Sequence, residues 1–146
     1  MTNTRIRLLP GVTLHLGSKD GGAESRVYMY GLECKALFSA LVLRFEEGSR
    51  EAYHSHAFNA ISIIAGPGYL REMVLTTSAD GRISTQYNTY TPSSKLVHTA
   101  RECTHKVVSR GRTWVLSLRG PWAPTWTDLD QRTGVATTLT SGRVPA

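Results

Sequence analysis

The chain is cut into runs too short for helices and too rich in branched and aromatic residues for loops. RVYMYG, ALFSALVLRF, AISIIAG, YLREMVLTT, RISTQYNTYT, KLVHTA, HKVVSR and TWVLSLRG carry the Val, Ile, Leu, Thr and Tyr that favour a pleated, half-buried surface. Between them stand EEGSRE, GPG, SADGR, PSS, SRGR and GPWAP, clusters that turn a chain. No window keeps apolar residues at a 3.6-residue period behind a helix cap. Asp80-Gly81, between two alternating runs, signals a hairpin. The pattern predicts an all-β domain, a double-sheet jelly roll or a closed barrel, since closure removes the edges such a chain otherwise exposes.

A length of 146 residues suits a single domain with a sizeable core. The barrel is expected in the middle of the chain. It would be flanked by irregular segments at about residues 1–25 and, after Gly120-Pro121, at about 121–146. No apolar run approaches the roughly 18 residues needed to span a bilayer, and MTNTRIRLLPGV has no apolar h-region. The expected location is the cytoplasm, with no membrane partner. The formal charge of +6 raises the question of nucleic acid, but the Lys and Arg residues are scattered without a block, a helix-turn-helix or a zinc-finger spacing. A solvated basic surface and no specific nucleic-acid partner are expected. A homodimer is the symmetric default for small proteins.

The chemistry concentrates at His54-Ser55-His56. Two histidines at i and i+2 on an extended segment point to one side, and paired neutral imidazoles suit a borderline divalent ion. Two ligands hold an ion poorly, and His105, in CTHKVVS, is placed to supply a third from a separate strand. His98, in KLVHTA, is a weaker candidate, and His15 reads as structural. Cys34 and Cys103 are too few for a disulfide framework. Both read as packed thiols, although Cys103, two residues before His105, is also placed to offer a thiolate.

Gly48, five residues, His54, one residue, His56, then Gly66 resembles the first motif of the cupins, and Cys103-Thr104-His105-Lys106-Val107 resembles the histidine of their second. The resemblance covers about Tyr28 to Trp126 and implies a cupin double-stranded β-helix. The finer pattern, HSHAFNAISIIAGPGYLRE, then THKVV, then TWVLSLRGPW, is similar to small cupin-like proteins carried by bacteriophages, which implies the host cytoplasm as location. Many cupins add a glutamate soon after the second histidine; here Ala60 and Ile61 occupy those places and cannot coordinate, and nearby Asn59 offers only a neutral amide. The remaining set of three histidines resembles that of the thiol dioxygenases, whose HxH stretch also leads to a leucine–x–glutamate, as in Leu70-Arg71-Glu72.

The resemblance implies one divalent metal on His54, His56 and His105, with Fe2+ first and Zn2+, Ni2+ or Mn2+ as alternatives. Such a site suits a dioxygenase-like oxidoreductase acting on a small polar substrate. The alternative is a non-catalytic cupin that binds a nucleotide or sugar derivative, as a phage protein sequestering a host metabolite or signal would. Tyr53, Phe58, Ser62 and Tyr69 are candidates to line a pocket. Glu72 is the nearby carboxylate able to orient a ligating histidine, and Arg119 offers a planar fork to an anionic substrate. Trp114, Trp122 and Trp126 are expected to close the barrel by packing. No residue stands out as an acid, base or nucleophile: there is no phosphate-binding loop, nucleophile elbow or carboxylate pair.

Overall fold

Alternation along each run becomes two distinct faces once the strands pair. The computed structural model describes residues 3–21, 25–49, 53–129 and 133–140, and among them every regular element is a strand. In chain order these are β1 (Thr4–Leu9), β2 (Val12–Lys19), β3 (Val27–Cys34), β4 (Ser39–Phe45), β5 (Gly48–Ser49), β6 (Tyr53–His54) and β7 (Ala60–Ala65). They continue with β8 (Tyr69–Thr77), β9 (Ile83–Tyr90), β10 (Val97–Thr99), β11 (His105–Arg110), β12 (Thr113–Arg119), β13 (Thr125–Leu129) and β14 (Ala136–Thr140). Among the described residues no helix is long and apolar enough to cross a membrane.

All the pairings are antiparallel. One sheet runs β1-β2-β3-β4-β12-β7-β10, the other β14-β13-β6-β11-β8-β9, with β5 also on β11. This is the jelly-roll arrangement expected from the turn-divided runs. The β8–β9 hairpin turns at Asp80-Gly81 as expected, Gly81 taking a positive φ of 82° that suits glycine.

Two expectations about the periphery are corrected. The described part of the segment at 1–25 carries two strands: Pro10-Gly11 turns β1 onto β2, and this hairpin extends the first sheet beyond β3. The segment at 121–146 likewise carries β13 and β14, and β13 pairs with the strand that bears His54. The later stretch is polar enough to read as coil, but the backbones of both are claimed by neighbouring strand edges, a tertiary effect that overrides local composition.

The interior divides into two apolar clusters. Val27, Met29, Leu41, Leu43, Ile64, Leu70 and Val115 fill one, and Ala57, Phe58, Ala60, Trp126 and Leu139, with Trp122 against them, fill the other. Phe58, Trp122 and Trp126 stack in series at centroid distances of 5.4 and 5.5 Å. Trp114 departs from its expected role, since it projects from the outer side of β12 beside Tyr30 and Arg44.

Gly31 lies mid-strand in β3, paired with both His15 and Leu41, at a φ of 129°. A Cβ there would collide with the Ala40 carbonyl oxygen across the ladder. Gly31→Ala therefore combines backbone strain with overpacking and is expected to destabilise the fold by about 2–4 kcal/mol. Urea unfolding followed by far-ultraviolet circular dichroism measures this, and an unchanged midpoint would contradict the β3–β4 register.

Candidate metal centre

Strand pairing assembles the three histidines. β11 pairs on one edge with β6, which sets His105 directly opposite His54, and on the other with β8. His56 lies just past β6 and stays extended because Ser55 N–H donates to Thr127 O (2.8 Å) and His56 N–H to Arg101 O (3.1 Å). The three rings stand 4.8, 5.0 and 4.9 Å apart, a nearly equilateral triangle with steep mutual tilts of 84°, 61° and 79°. Each offers a ring nitrogen within 4.8 Å of the others.

The donor set suits one divalent ion in a facial position. His56 Nε2 and His105 Nε2 are 2.7 Å apart. Nitrogens bound cis at about 2.1 Å stand roughly 3.0 Å apart in an octahedral shell and about 3.4 Å apart in a tetrahedral one. At the observed separation the two nitrogens are close enough for one small ion to be held by both.

Glu72 completes this arrangement from behind. It sits on the inner face of β8, diagonal to His105, and its carboxylate accepts a hydrogen bond from His105 Nδ1. With Nδ1 as the donor, Nε2 of a neutral imidazole presents its lone pair to the centre. The other carboxylate oxygen accepts from Tyr90 Oη (2.6 Å) and Asn88 Nδ2 (3.0 Å). Burial pushes the Glu72 carboxyl up, but the hydrogen bonds from His105, Tyr90 and Asn88 outweigh it and hold its pKa down to about 2. A carboxyl held low in the folded state contributes stability above its ordinary value of 4.5 and loses it as pH falls toward 2, so Glu72 is ionised at neutral pH. Burial, then the carboxylate, raises Tyr90, which stays a phenol and a donor.

A cavity of about 150 Å³ opens beside the triangle, with His54, His56, His105, Ser62, Glu72 and Arg119 among its walls. Ser62 and Phe58 line this cavity. Tyr53 is buried outside the cavity, and Tyr69 is corrected outright: it points outward from β8 and is exposed. His98 is also corrected. It pairs with Ile61 on the outer side of β10, exposed and away from the centre.

Asn59 is exposed, and its Oδ1 accepts from Arg101 N–H (2.9 Å), so it braces the loop before β11 instead of facing the ion. Arg119 is buried in the cavity wall, but its Nη2 is paired with Asp20 (2.6 Å) and its guanidinium lies over Phe58 (4.6 Å). Nη2 is thus engaged within the protein, while the buried Nε has no hydrogen-bond partner among the described residues. Cys103, with Glu72 and His105, forms a second cluster of donor type. Burial, then the Glu72 charge, pushes its thiol up, so without an ion it is protonated at neutral pH. Cys34 is likewise a half-buried free thiol. His15 is structural as expected, buried with its Nδ1 bonded to Ser18 Oγ and its Nε2 3.4 Å from Glu33.

Asn88, Tyr90 and Asp20 were not foreseen. The first two were within reach, because a hairpin centred on Asp80 sets Glu72 opposite Asn88. Asp20 meets Arg119 across 99 residues of sequence, and no local signal marks that pairing.

No protein-family model matches the chain, and no curated protein matches it. Solved structures do match. A sugar phosphate isomerase from a cupin superfamily, of Silicibacter pomeroyi, aligns with a TM-score of 0.52 at 12% identity, over 81% of this chain and 73% of that one. FeII HppE aligns at 0.51 and 11% identity, over 77% and 62%. The fold is that of the cupins. An oxalate decarboxylase of Bacillus subtilis aligns at 0.49 and 13% identity over 71% of this chain, which spans only 28% of that longer protein.

Metal competition against a chelator is expected to separate the residues. His54→Ala, His56→Ala and His105→Ala each lose tight binding, whereas His98→Ala and Cys103→Ser keep it. Glu72→Gln retains the shape but removes the charge behind His105, and affinity should fall about 10- to 100-fold. Binding unaffected by Glu72→Gln would refute the orienting role.

Proposed function

We propose that the chain is a metal-dependent cupin that acts as a dioxygenase-like oxidoreductase on a small polar substrate, with Fe2+ as its ion. The observation that carries this reading is the nearly equilateral triangle of imidazoles at the wall of a cavity. Three neutral donors leave the ion its full charge and leave coordination positions open, the condition for binding a substrate and O2 together. When bound, the ion would supply O2 activation and polarisation of a substrate heteroatom.

The chain's own groups supply the rest. Glu72 holds the His105 ring and keeps the Nε2 lone pair inward. Phe58 packs against His56 at 5.1 Å and, with Trp122, screens the triangle from water. Ser62 offers a hydroxyl in the cavity wall, and the Asp20–Arg119 pair sets a polar side opposite the apolar residues Leu43, Ile64 and Val115. A space of about 150 Å³ matches cavities that hold a benzene-sized molecule. A compact substrate fits this better than a whole nucleotide, and the resemblance to the thiol dioxygenases directs the choice to small thiols.

One observation favours the rival reading, capture of a ligand without turnover. The carboxylates and the guanidinium of the wall, Asp20, Glu72 and Arg119, each make an ion pair or hydrogen bond with another protein group, so among the described residues the wall offers no carboxylate without a protein partner. A phage protein that sequesters a small host metabolite would need no more than this.

The test is O2 uptake by protein reconstituted anaerobically with Fe2+, then exposed to air with small thiols and hydroxy acids. One iron per chain, uptake that depends on a substrate, and its loss in His56→Ala are expected. Saturable ligand binding without O2 consumption would replace the enzyme with the binder.

A further inference from the structure

The first sheet has an outer face as ordered as its inner one. Residues directly paired across a sheet share a face, so the register maps this surface row by row. One row runs Ile6, Leu14, Leu32, Ala40, Leu118, Ile61. The next runs Leu16, Tyr30, Val42, Leu116, Ile63. Apart from Leu14, the large aliphatic side chains of both rows are 38% to 49% exposed. Beside them Arg44 is buried, paired with Glu46 (2.8 Å) and lying 4.9 Å above the Tyr28 ring, so its charge is already accommodated within the chain.

The size of the face identifies its occupant. Five inter-strand spacings of about 4.8 Å, and two rows about 6.8 Å apart, give a patch of roughly 24 by 14 Å, on the order of 340 Å² in projection. Side-chain relief raises the accessible area further, toward the about 800 Å² that each partner contributes to a stable complex. Scattered surface leucines need no explanation, but a contiguous apolar patch of this size does. It is broad and uncharged, without the groove that grips a single strand or helix. Sheets pack face to face, and a two-fold axis normal to the centre sets each Leu, Ile and Val against the same kind of side chain.

We propose that two copies of the chain dimerise through the outer face of this sheet, about an axis near Val42 and Leu116. β7 and β12 carry this interface on one side and the cavity wall on the other, since Ile61 and Ile63 alternate with Ala60 and Ser62, and Leu116 and Leu118 with Ser117 and Arg119. The partner would therefore brace the wall opposite the histidines. The inference does not depend on the metal reading.

Sedimentation velocity of the full chain across a concentration series tests it. A dimer is expected at micromolar concentration, and Leu116→Lys should make the chain a folded monomer with an unchanged circular dichroism spectrum. The milder Val42→Thr/Ile63→Thr pair keeps the branched shape and should weaken dimerisation about thirtyfold or more, which covers the case of a misfolded lysine variant. Tyr87→Lys, on the outer side of β9 in the other sheet, should leave the dimer intact. The proposal is overturned by a parent chain that stays monomeric at 100 micromolar (about the upper working range). It is also overturned by variants on this face that dimerise like the parent, or by a monomer that instead sediments with neutral phosphatidylcholine vesicles.

Discussion

The register of β11 is the constraint on which the rest of this protein depends. One edge of the strand sets His105 opposite His54, and the other carries Glu72 to its Nδ1. A slip of one residue would turn His105 outward and bring Lys106 into the interior. The register is held from several sides at once. β8 pairs with all of β11, β5 pairs with its far end, and Ser109 is fully buried with its hydroxyl bonded to Thr113 (3.0 Å). The site is thus precise because it stands on paired strands, with only His56 supplied by a loop.

Burying Glu72 is costly unless its charge is met, because an unpaired carboxylate in an apolar wall costs several kcal/mol. Three donors meet it, and they come from β9 and β11, one strand on each side of β8. The same network that makes the carboxylate tolerable also fixes the histidine tautomer. Stability and function are here one set of hydrogen bonds. Arg119 solves the matching problem at the other side of the cavity by pairing with Asp20, from the end of β2, and by resting on Phe58.

The two faces of the first sheet divide the work. Inward residues of β7 and β12 build the cavity wall, while their outward neighbours carry the aliphatic rows that the proposed dimer covers. Strand geometry makes this division automatic, since successive side chains point opposite ways.

Much of this was legible in the chain itself. Short β-rich runs and Gly-Pro turns determined the all-β class, because backbone preference and turn chemistry are local properties. The spacing HxH, with His105 downstream, determined the candidate ligands, since two residues apart on an extended chain means one side. The hairpin at Asp80-Gly81 even encoded the pairing of Glu72 with Asn88. Tertiary structure alone decided the rest. The β13–β14 pair looks polar because it lies toward the edge of its sheet, where water is a neighbour, and the β1–β2 hairpin is held as strand by its pairing with β3. His98 and Tyr69 were set aside by facing outward, and Arg119 was claimed by Asp20 from 99 residues away. Which face a side chain takes depends on register, and which partner reaches it depends on how the sheets close. Neither quantity is written in any short stretch of sequence.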